Sequence, residues 1–248
     1  NVTEEELAAE IERDRAFYVI DAPDDVHRRS VRVGLGLRRL LEAGGYDAFS
    51  ANFLAFHSSE GPVDTMPFLE SSKAMGRGIG YAGEGDVLTA ALVGALSQGF
   101  RRTTFTEAFC PDWRGGSLFL SHMGEINPEV AAEKPWIHEK EFPWTGARNP
   151  AVIACAPAPG PAVLVNLAPG PEDSFRLIVS RVEVLGDAEH PEMRRCVRGW
   201  VRPERGLESF LEAYSRAGGT HHSALVLGDH AEALSAFARF AGVEAVNV

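Results

Sequence analysis

The periodicity of the chain changes near residue 102, and no other feature limits its possible folds as strongly. Upstream, helical and strand-like stretches alternate. Thr3 and Glu6 have capping-box spacing ahead of Leu7 and Ile11, which predicts an opening amphipathic helix. Val33, Leu37, Leu40 and Leu41 recur at helical spacing, and Gly44 and Gly45 supply a left-handed stop. A strand-like run follows over 48–53, a helix over 66–75, a short strand over 79–82, and a buried helix over 87–96 that Asp86 is placed to cap. This alternation predicts an α/β layer with a mainly parallel sheet. Downstream, strand-like runs at 103–109, 118–121, 151–155, 162–167 and 175–184 are joined by a Pro/Trp-rich connection over 128–150 and by turns such as Pro169-Gly170-Pro171. They predict a β-rich, antiparallel, barrel-like C-terminal domain. The tail returns to mixed structure, with a helix over 207–217, a strand over 224–227 and a helix starting near an Asp229 cap. The expected organisation is an α/β domain over 1–101 and a β-rich domain over 102–248.

Charge narrows the function. With 35 acidic against 24 basic residues, the 248-residue chain carries a net charge of −11, which argues against nucleic acid as a partner. Nine of the acids fall in the first 25 residues against Arg13 and Arg15, a pattern of a solvated helix face or an acidic arm. Cys110, Cys155 and Cys196 are widely separated with no C-x-x-C pair, so neither a disulfide framework nor a zinc knuckle is indicated, and a reducing cytoplasm fits. No apolar run approaches the roughly 18 residues of a membrane helix. The longest weakly polar run, 151–165, is interrupted by Pro157, Pro159 and Pro161. A soluble, cytoplasmic protein with no membrane partner is expected.

Four stretches place a proton-transferring or metal-capable side chain beside glycine or at a strand end. Glu84 lies between Gly83 and Gly85 in a strand-to-helix loop, either facing a cleft or solvated on a plain glycine turn; no Gly-Lys-Ser/Thr follows, so the loop is not a Walker phosphate loop. Glu107 shares a strand face with Phe105 and Phe109 by period-2 spacing, so it needs a partner or a cation unless the strand is an edge. His122 ends an apolar strand, as a ligand or as a hydrogen-bonded core residue. His221 and His222 follow Gly218-Gly219-Thr220; on extended backbone they point to opposite sides, so one could ligate an ion while the other reaches substrate, and a surface pair is the alternative. Two Glu and two His together form an O/N set suited to a divalent ion such as Mn²⁺ with open positions for water or substrate. His27, His57, His138, His190 and His230 lack comparable surroundings and read as structural or surface residues.

In order along the chain, these stretches resemble segments of the L-arabinose isomerase family, within the wider group that includes L-fucose isomerase. Residues 80–91 (GYAGEGDVLTAA) resemble the family's Gly-x-Gly-Glu-Gly-Asp-x-x-Thr-Ala-Ala segment. Phe105-Thr106-Glu107, then Leu120-Ser121-His122-Met123-x-Glu125, then Gly218-Gly219-Thr220-His221-His222-Ser223 match in the family's order. Asn52-Phe53 with His57 resembles a segment near the sugar site, and Phe175-Arg176-Leu177-Ile178-Val179 resembles a strand of the C-terminal domain. The resemblance implies a metal-dependent aldose–ketose isomerase working through an enediol, with one Mn²⁺ or another divalent cation held by Glu84, Glu107, His122 and His222. It implies Glu84 and Glu107 as the acid/base pair, His221 and Phe53 as sugar contacts, and a homo-oligomer whose active site lies near a subunit interface.

The sequence departs from the family at Phe109-Cys110-Pro111-Asp112-Trp113 and at Leu54-Ala55-Phe56, both beside the implied sugar site. The metal set is therefore better supported than arabinose as the sugar. The family's N-terminal α/β domain has no counterpart in this chain, which implies the middle and C-terminal portion of a longer protein. A non-catalytic metal- and sugar-binding or assembly module is the alternative reading. A cupin-type metal protein fits less well, because cupins want His-x-His followed closely by Glu.

Overall fold

The computed structural model describes residues 2–186 and 193–248. Helix α1 (Glu4–Phe17) starts at the anticipated capping box: the Thr3 hydroxyl accepts from the Glu6 amide while the Glu6 carboxylate accepts from the Thr3 amide at 2.7 Å. After strand β1 (Val19–Ile20), helix α2 (Asp24–Gly44) begins nine residues ahead of its first periodic valine and ends on Gly45, whose φ of +61° is the left-handed cap. Strand β2 (Ala48–Ser50) stops short of Phe53, which instead opens a 3₁₀ turn capped by Asn52. Helix α3 (Phe68–Gly76), strand β3 (Gly80–Ala82) and helix α4 (Val87–Gly99) complete the first part, and the Asp86 carboxylate caps α4 by accepting from the Thr89 amide at 2.9 Å. β2 and β3 pair in parallel, as the alternation required.

The remaining strands are β4 (Thr103–Asp112), β5 (Ser117–Ser121), β6 (Trp136–Glu139), β7 (Ala151–Ala154), β8 (Gly160–Pro169), β9 (Phe175–Val184), β10 (Arg198–Pro203), β11 (His222–Leu227) and β12 (Glu244–Asn247). Helix α5 (Leu207–Arg216) precedes β11, and α6 (Ala231–Phe240) follows it. Six strands close an antiparallel barrel in the order β10-β5-β4-β11-β8-β9, with β9 returning to pair with β10. β12 adds in parallel to β9.

Two expectations are corrected. The run at 151–155 is not a barrel strand: β7 pairs with β6, which in turn pairs in parallel with β1, forming a separate three-stranded sheet against α2 and α3. The connection over 128–150 therefore contains a strand; its short Trp136-Ile137-His138-Glu139 segment lies among prolines that masked it. The tail strand, β11, is inserted between β4 and β8 in the barrel.

The barrel strands are apolar on both faces. Leu118, Leu120, Leu164, Ile178, Val201 and Leu225 share one buried cluster, while Phe105, Val163, Val165, Ala224 and Val226 pack with Leu92, Val93 and Leu96 of α4 and Leu234 of α6. Each such fully buried side chain stabilises the fold by about 1.5–3 kcal/mol. α4 is consequently wedged between the β2–β3 pair and the barrel, which brings the loop ahead of α4 to the ends of β4, β5 and β11.

Candidate active site

Register across three adjacent strands assembles the side chains. His222, the first residue of β11, lies directly opposite Glu107 on β4, and Glu107 lies opposite Ser121 on β5, one residue before His122. The β3–α4 loop closes over this row. Gly83 leaves room for it, since a Cβ there would sit 2.6 Å from His122 Cε1 and 3.2 Å from Phe53 Cζ. Glu84 follows in the left-handed region at φ +61°, a conformation that costs a residue with a side chain on the order of 1 kcal/mol or more.

The donor atoms of Glu107, His122 and His222 lie within 4.8 Å of one another, and so do those of Glu84, His221 and His222. The four implied ligands are thus two groups joined through His222, with Glu84 Oε2 at 3.8 Å from His222 Nε2. His221 is 60 % exposed and its Nε2 is 4.0 Å from Glu107 Oε1. Its ring centroid lies 4.3 Å from that of His222, so the two histidines turn toward the same site and do not point to opposite sides as extended backbone predicts. Phe53 stands edge-on to Phe68 and Phe142 and 6.3 Å from the His122 ring. The shared face expected for Phe105, Glu107 and Phe109 is broken. A register shift between Ala108 and Cys110 leaves Phe109 about half exposed while Phe105 is fully buried.

Each of the two buried imidazoles of the site is held at Nδ1 by a carboxylate. His222 Nδ1 is 3.0 Å from Asp86 Oδ2, and His122 Nδ1 is 2.7 Å from Glu125 Oε2. Glu125 is fully buried; it also accepts from the Tyr81 hydroxyl at 2.6 Å and the Gly124 amide at 2.8 Å. A proton placed on Nδ1 by this network leaves each Nε2 with its lone pair free. His222 Nε2 is buried with no hydrogen-bond partner, an uncommon state for a polar atom and one that an ion would relieve. Burial lowers the His222 pKa against the Asp86 hydrogen bond, and His221 and His122 lower it further. At His122 burial acts downward too, but Glu125, with Glu107 and Glu84, outweighs it and the pKa is raised. Carboxylates converging on buried imidazoles form a negative seat for a cation, and two imidazoles with carboxylates are a donor set that divalent Mn, Zn, Fe or Co would accept. The two rings meet edge-on with centroids 5.6 Å apart, and Phe105 packs against both at 4.7 Å from His122 and 5.0 Å from His222.

Sequence reasoning took Asp86 only as a helix cap and gave Glu125 no role, although a Glu three residues after a candidate ligand histidine is the available signal. Tyr81 and Phe105 carried no signal beyond apolar burial. His27 and His138 are buried and His57 is exposed; His190 lies outside the described residues. His230 packs against Phe100 and occupies the N-cap of α6, while Asp229 accepts from the Ala231 amide at 3.3 Å.

Comparison with known proteins gives one result throughout. Residues 1–98 match the family model for the L-arabinose isomerase central domain, and residues 102–244 match that for the L-arabinose isomerase C-terminal domain. L-arabinose isomerase 1 of Bacillus licheniformis is 31 % identical over 247 residues, covering 98 % of this chain and 49 % of the relative. The L-arabinose isomerase of Clostridium beijerinckii is 32 % identical over 254 residues, covering 100 % and 51 %, and that of a Nocardioides species is 33 % identical over 227 residues, covering 89 % and 44 %. The chain spans about half the length of these relatives.

Proposed function

The chain belongs to the L-arabinose isomerase family, and on that premise we propose that the protein containing it is a divalent-metal-dependent aldose–ketose isomerase. The observation that carries this reading is the convergence of Glu107, His122 and His222 around the unpartnered Nε2 of His222, with Glu84 beside it. These four residues would hold Mn²⁺ or a similar ion. When bound, such an ion supplies a Lewis acid for the oxygens of the sugar.

The reaction moves one proton from C2 of the aldose to C1, and one from the C2 hydroxyl to the C1 oxygen, through an enediol. Glu84 and Glu107 are the proton carriers: one carboxylate takes the carbon proton and returns it to the neighbouring carbon, and the other serves the oxygens. Asp86 and Glu125 hold the imidazoles in one orientation and one tautomer. His221 and Phe53 contact the sugar, the first from the exposed side of Glu107 and the second from an aromatic wall.

In this reading residues 1–101 and 102–248 are the middle and C-terminal domains of the isomerase, which works as a homo-oligomer in the cytoplasm with its site near a subunit interface. Exposed Leu54, Phe109, Trp113 and Trp144 support the assembly, and three free cysteines support the compartment. Among the described residues no helix is long and apolar enough to cross a membrane.

The test is conversion of aldopentoses and aldohexoses to ketoses by the full-length natural polypeptide, with and without Mn²⁺. Turnover that needs the ion and is lost in Glu84→Gln and Glu107→Gln is expected; equal turnover by ion-free protein overturns the reading. Because the chain covers about half of its relatives, the non-catalytic alternative has a readout of its own: Mn²⁺-dependent sugar binding by calorimetry with no product from the full-length polypeptide.

A further inference from the structure

His221 and His222 present their rings to one site, although regular extended backbone would send neighbouring side chains to opposite faces. The backbone bends at His221, one residue before β11 begins. The bend coincides with the end of a ladder. β11 pairs with β8 from Leu227 opposite Ala162 as far as Ala224 opposite Val165, while β8 itself continues to Pro169 against β9. Asn166, the next residue of β8, is fully buried, and its side chain takes over where the ladder stops.

The Asn166 amide nitrogen donates to the His222 carbonyl at 2.6 Å and to Thr220 Oγ1 at 2.8 Å. A carbonyl accepts and cannot donate, so His222 fixes which end of the amide faces it. Thr220 Oγ1 in turn donates to the same carbonyl at 3.2 Å, and the Thr220 amide approaches Asn166 Oδ1 at 3.5 Å. Both N–H bonds of one buried amide thus go to the residues on either side of His221. From the opposite strand, the Ala108 amide of β4 donates to the His221 carbonyl at 2.8 Å. Tyr214 of α5 anchors the start of the segment: its hydroxyl donates to the Thr220 carbonyl at 2.7 Å and lies 2.9 Å from Ser223 Oγ. Its ring rests on Gly219, where a Cβ would come within 2.2 Å of Tyr214 Cε1.

We infer that Asn166, acting with Thr220, is a positioning residue of the site: it holds the bend at His221 that turns two adjacent imidazoles toward one ion and its sugar. The inference rests on the isomerase reading above for what the imidazoles do. Where they are held follows from the hydrogen bonds alone. Without the bend, strand alternation would turn either His221 or His222 away from Glu84, and His222 is the member common to both candidate donor groups. Asn166 acts through the histidines, as Asp86 and Glu125 do, but on the backbone that carries the rings instead of on the rings themselves.

The experiment uses the full-length natural polypeptide and three variants. Asn166→Leu keeps a similar volume and removes both donors; Thr220→Val removes the hydroxyl of an exposed residue at constant shape; Thr220→Ser keeps that hydroxyl. Mn²⁺ affinity is measured by calorimetry, stability by the melting temperature, and the separation of the two rings by crystallography of the ion-free proteins. Asn166→Leu should weaken Mn²⁺ binding about tenfold and move the ring centroids apart from 4.3 Å. Thr220→Val should weaken it about threefold at an unchanged melting temperature, and Thr220→Ser should bind as the parent does. A merely structural part for Asn166 would lower the melting temperature and leave ion affinity and ring separation as they are; that result overturns the inference. If Asn166→Leu does not fold, the Thr220 variants decide, and equal affinity in both overturns it. If the parent binds no Mn²⁺, the isomerase reading falls and ring separation in the variants that fold decides: rings that part support the positioning role, and rings that stay together overturn it.

Discussion

His222 is tied at one ring nitrogen to Asp86 and bare at the other, and the same Asp86 caps α4. Two substitutions separate these duties. Asp86→Asn keeps a side chain that caps well but removes the charge facing His222, so divalent-ion affinity by calorimetry should fall about 10–100-fold with little loss of stability. Asp86→Ala should show the same fall and lose about 1 kcal/mol in urea unfolding as well. Equal ion affinity in both variants and the unmodified protein would remove Asp86 from the site. At His122 the corresponding residue is Glu125, buried and fully bonded. Glu125→Gln should cost ion affinity by a similar factor, and because it also loosens Tyr81 it should lower the melting temperature. At this scale the sequence showed the residues capable of ligation, because chemistry is written in residue type. It did not show what holds them, because an aspartate that caps a helix reads the same whether or not its second oxygen meets a histidine 136 positions away.

Elements with local signals were readable, and those defined by distant pairing were not. α1, α4 and the end of α2 declare themselves through caps that depend on residues a few positions apart. β10 alternates buried Gly199, Val201 and Pro203 with more exposed neighbours, a pattern carried by a single valine and too thin to mark a strand. β3 and α4 meet more closely than any hydrophobic pattern foretells. Gly80 lies against the Ala90 carbonyl and the Gly94 backbone, and a Cβ there would fall well inside contact distance of backbone atoms that cannot turn aside. Gly80→Ala should therefore cost about 1–3 kcal/mol in chemical denaturation and push α4, with the Glu84 loop ahead of it, off the barrel. A loss of ion affinity larger than that of stability is expected, because the loop is the part that shifts. An alanine variant as stable as the parent would show that β3 and α4 are not in such contact.

The barrel pairs residues more than a hundred positions apart where His222 of β11 meets Glu107 of β4, and no window of sequence contains that pairing. The attachment of α1 to the rest of the molecule is equally non-local, and beside Leu7 and Ile11 in the core it is ionic. Lys73 of α3 reaches Glu10 at 2.9 Å and Asp14 at 2.5 Å, Arg38 of α2 bridges Glu10 and Glu70 at 2.8 and 2.9 Å, and His27 meets Asp14 at 2.8 Å. The acids that looked like a solvated face are thus divided, with Glu10 and Asp14 turned inward. Although burial acts to raise it, the Glu10 pKa is held well below the ordinary carboxylate range by Arg38 and Lys73. A carboxylate whose folded pKa is depressed binds fewer protons folded than unfolded, so its contribution is complete above the ordinary carboxylate range and is lost as pH falls below it toward the folded value. The melting temperature should therefore be level near neutral pH and drop steeply below about pH 4. Lys73→Met, which leaves Asp14 with His27 alone and Glu10 with its arginines, should cost about 3 kcal/mol at pH 7. Glu10→Gln should also be less stable at pH 7, yet lose less between pH 5 and pH 3 than the unmodified protein, because the group that titrates is gone. Parallel pH profiles for the two proteins would place the acid sensitivity elsewhere in the molecule.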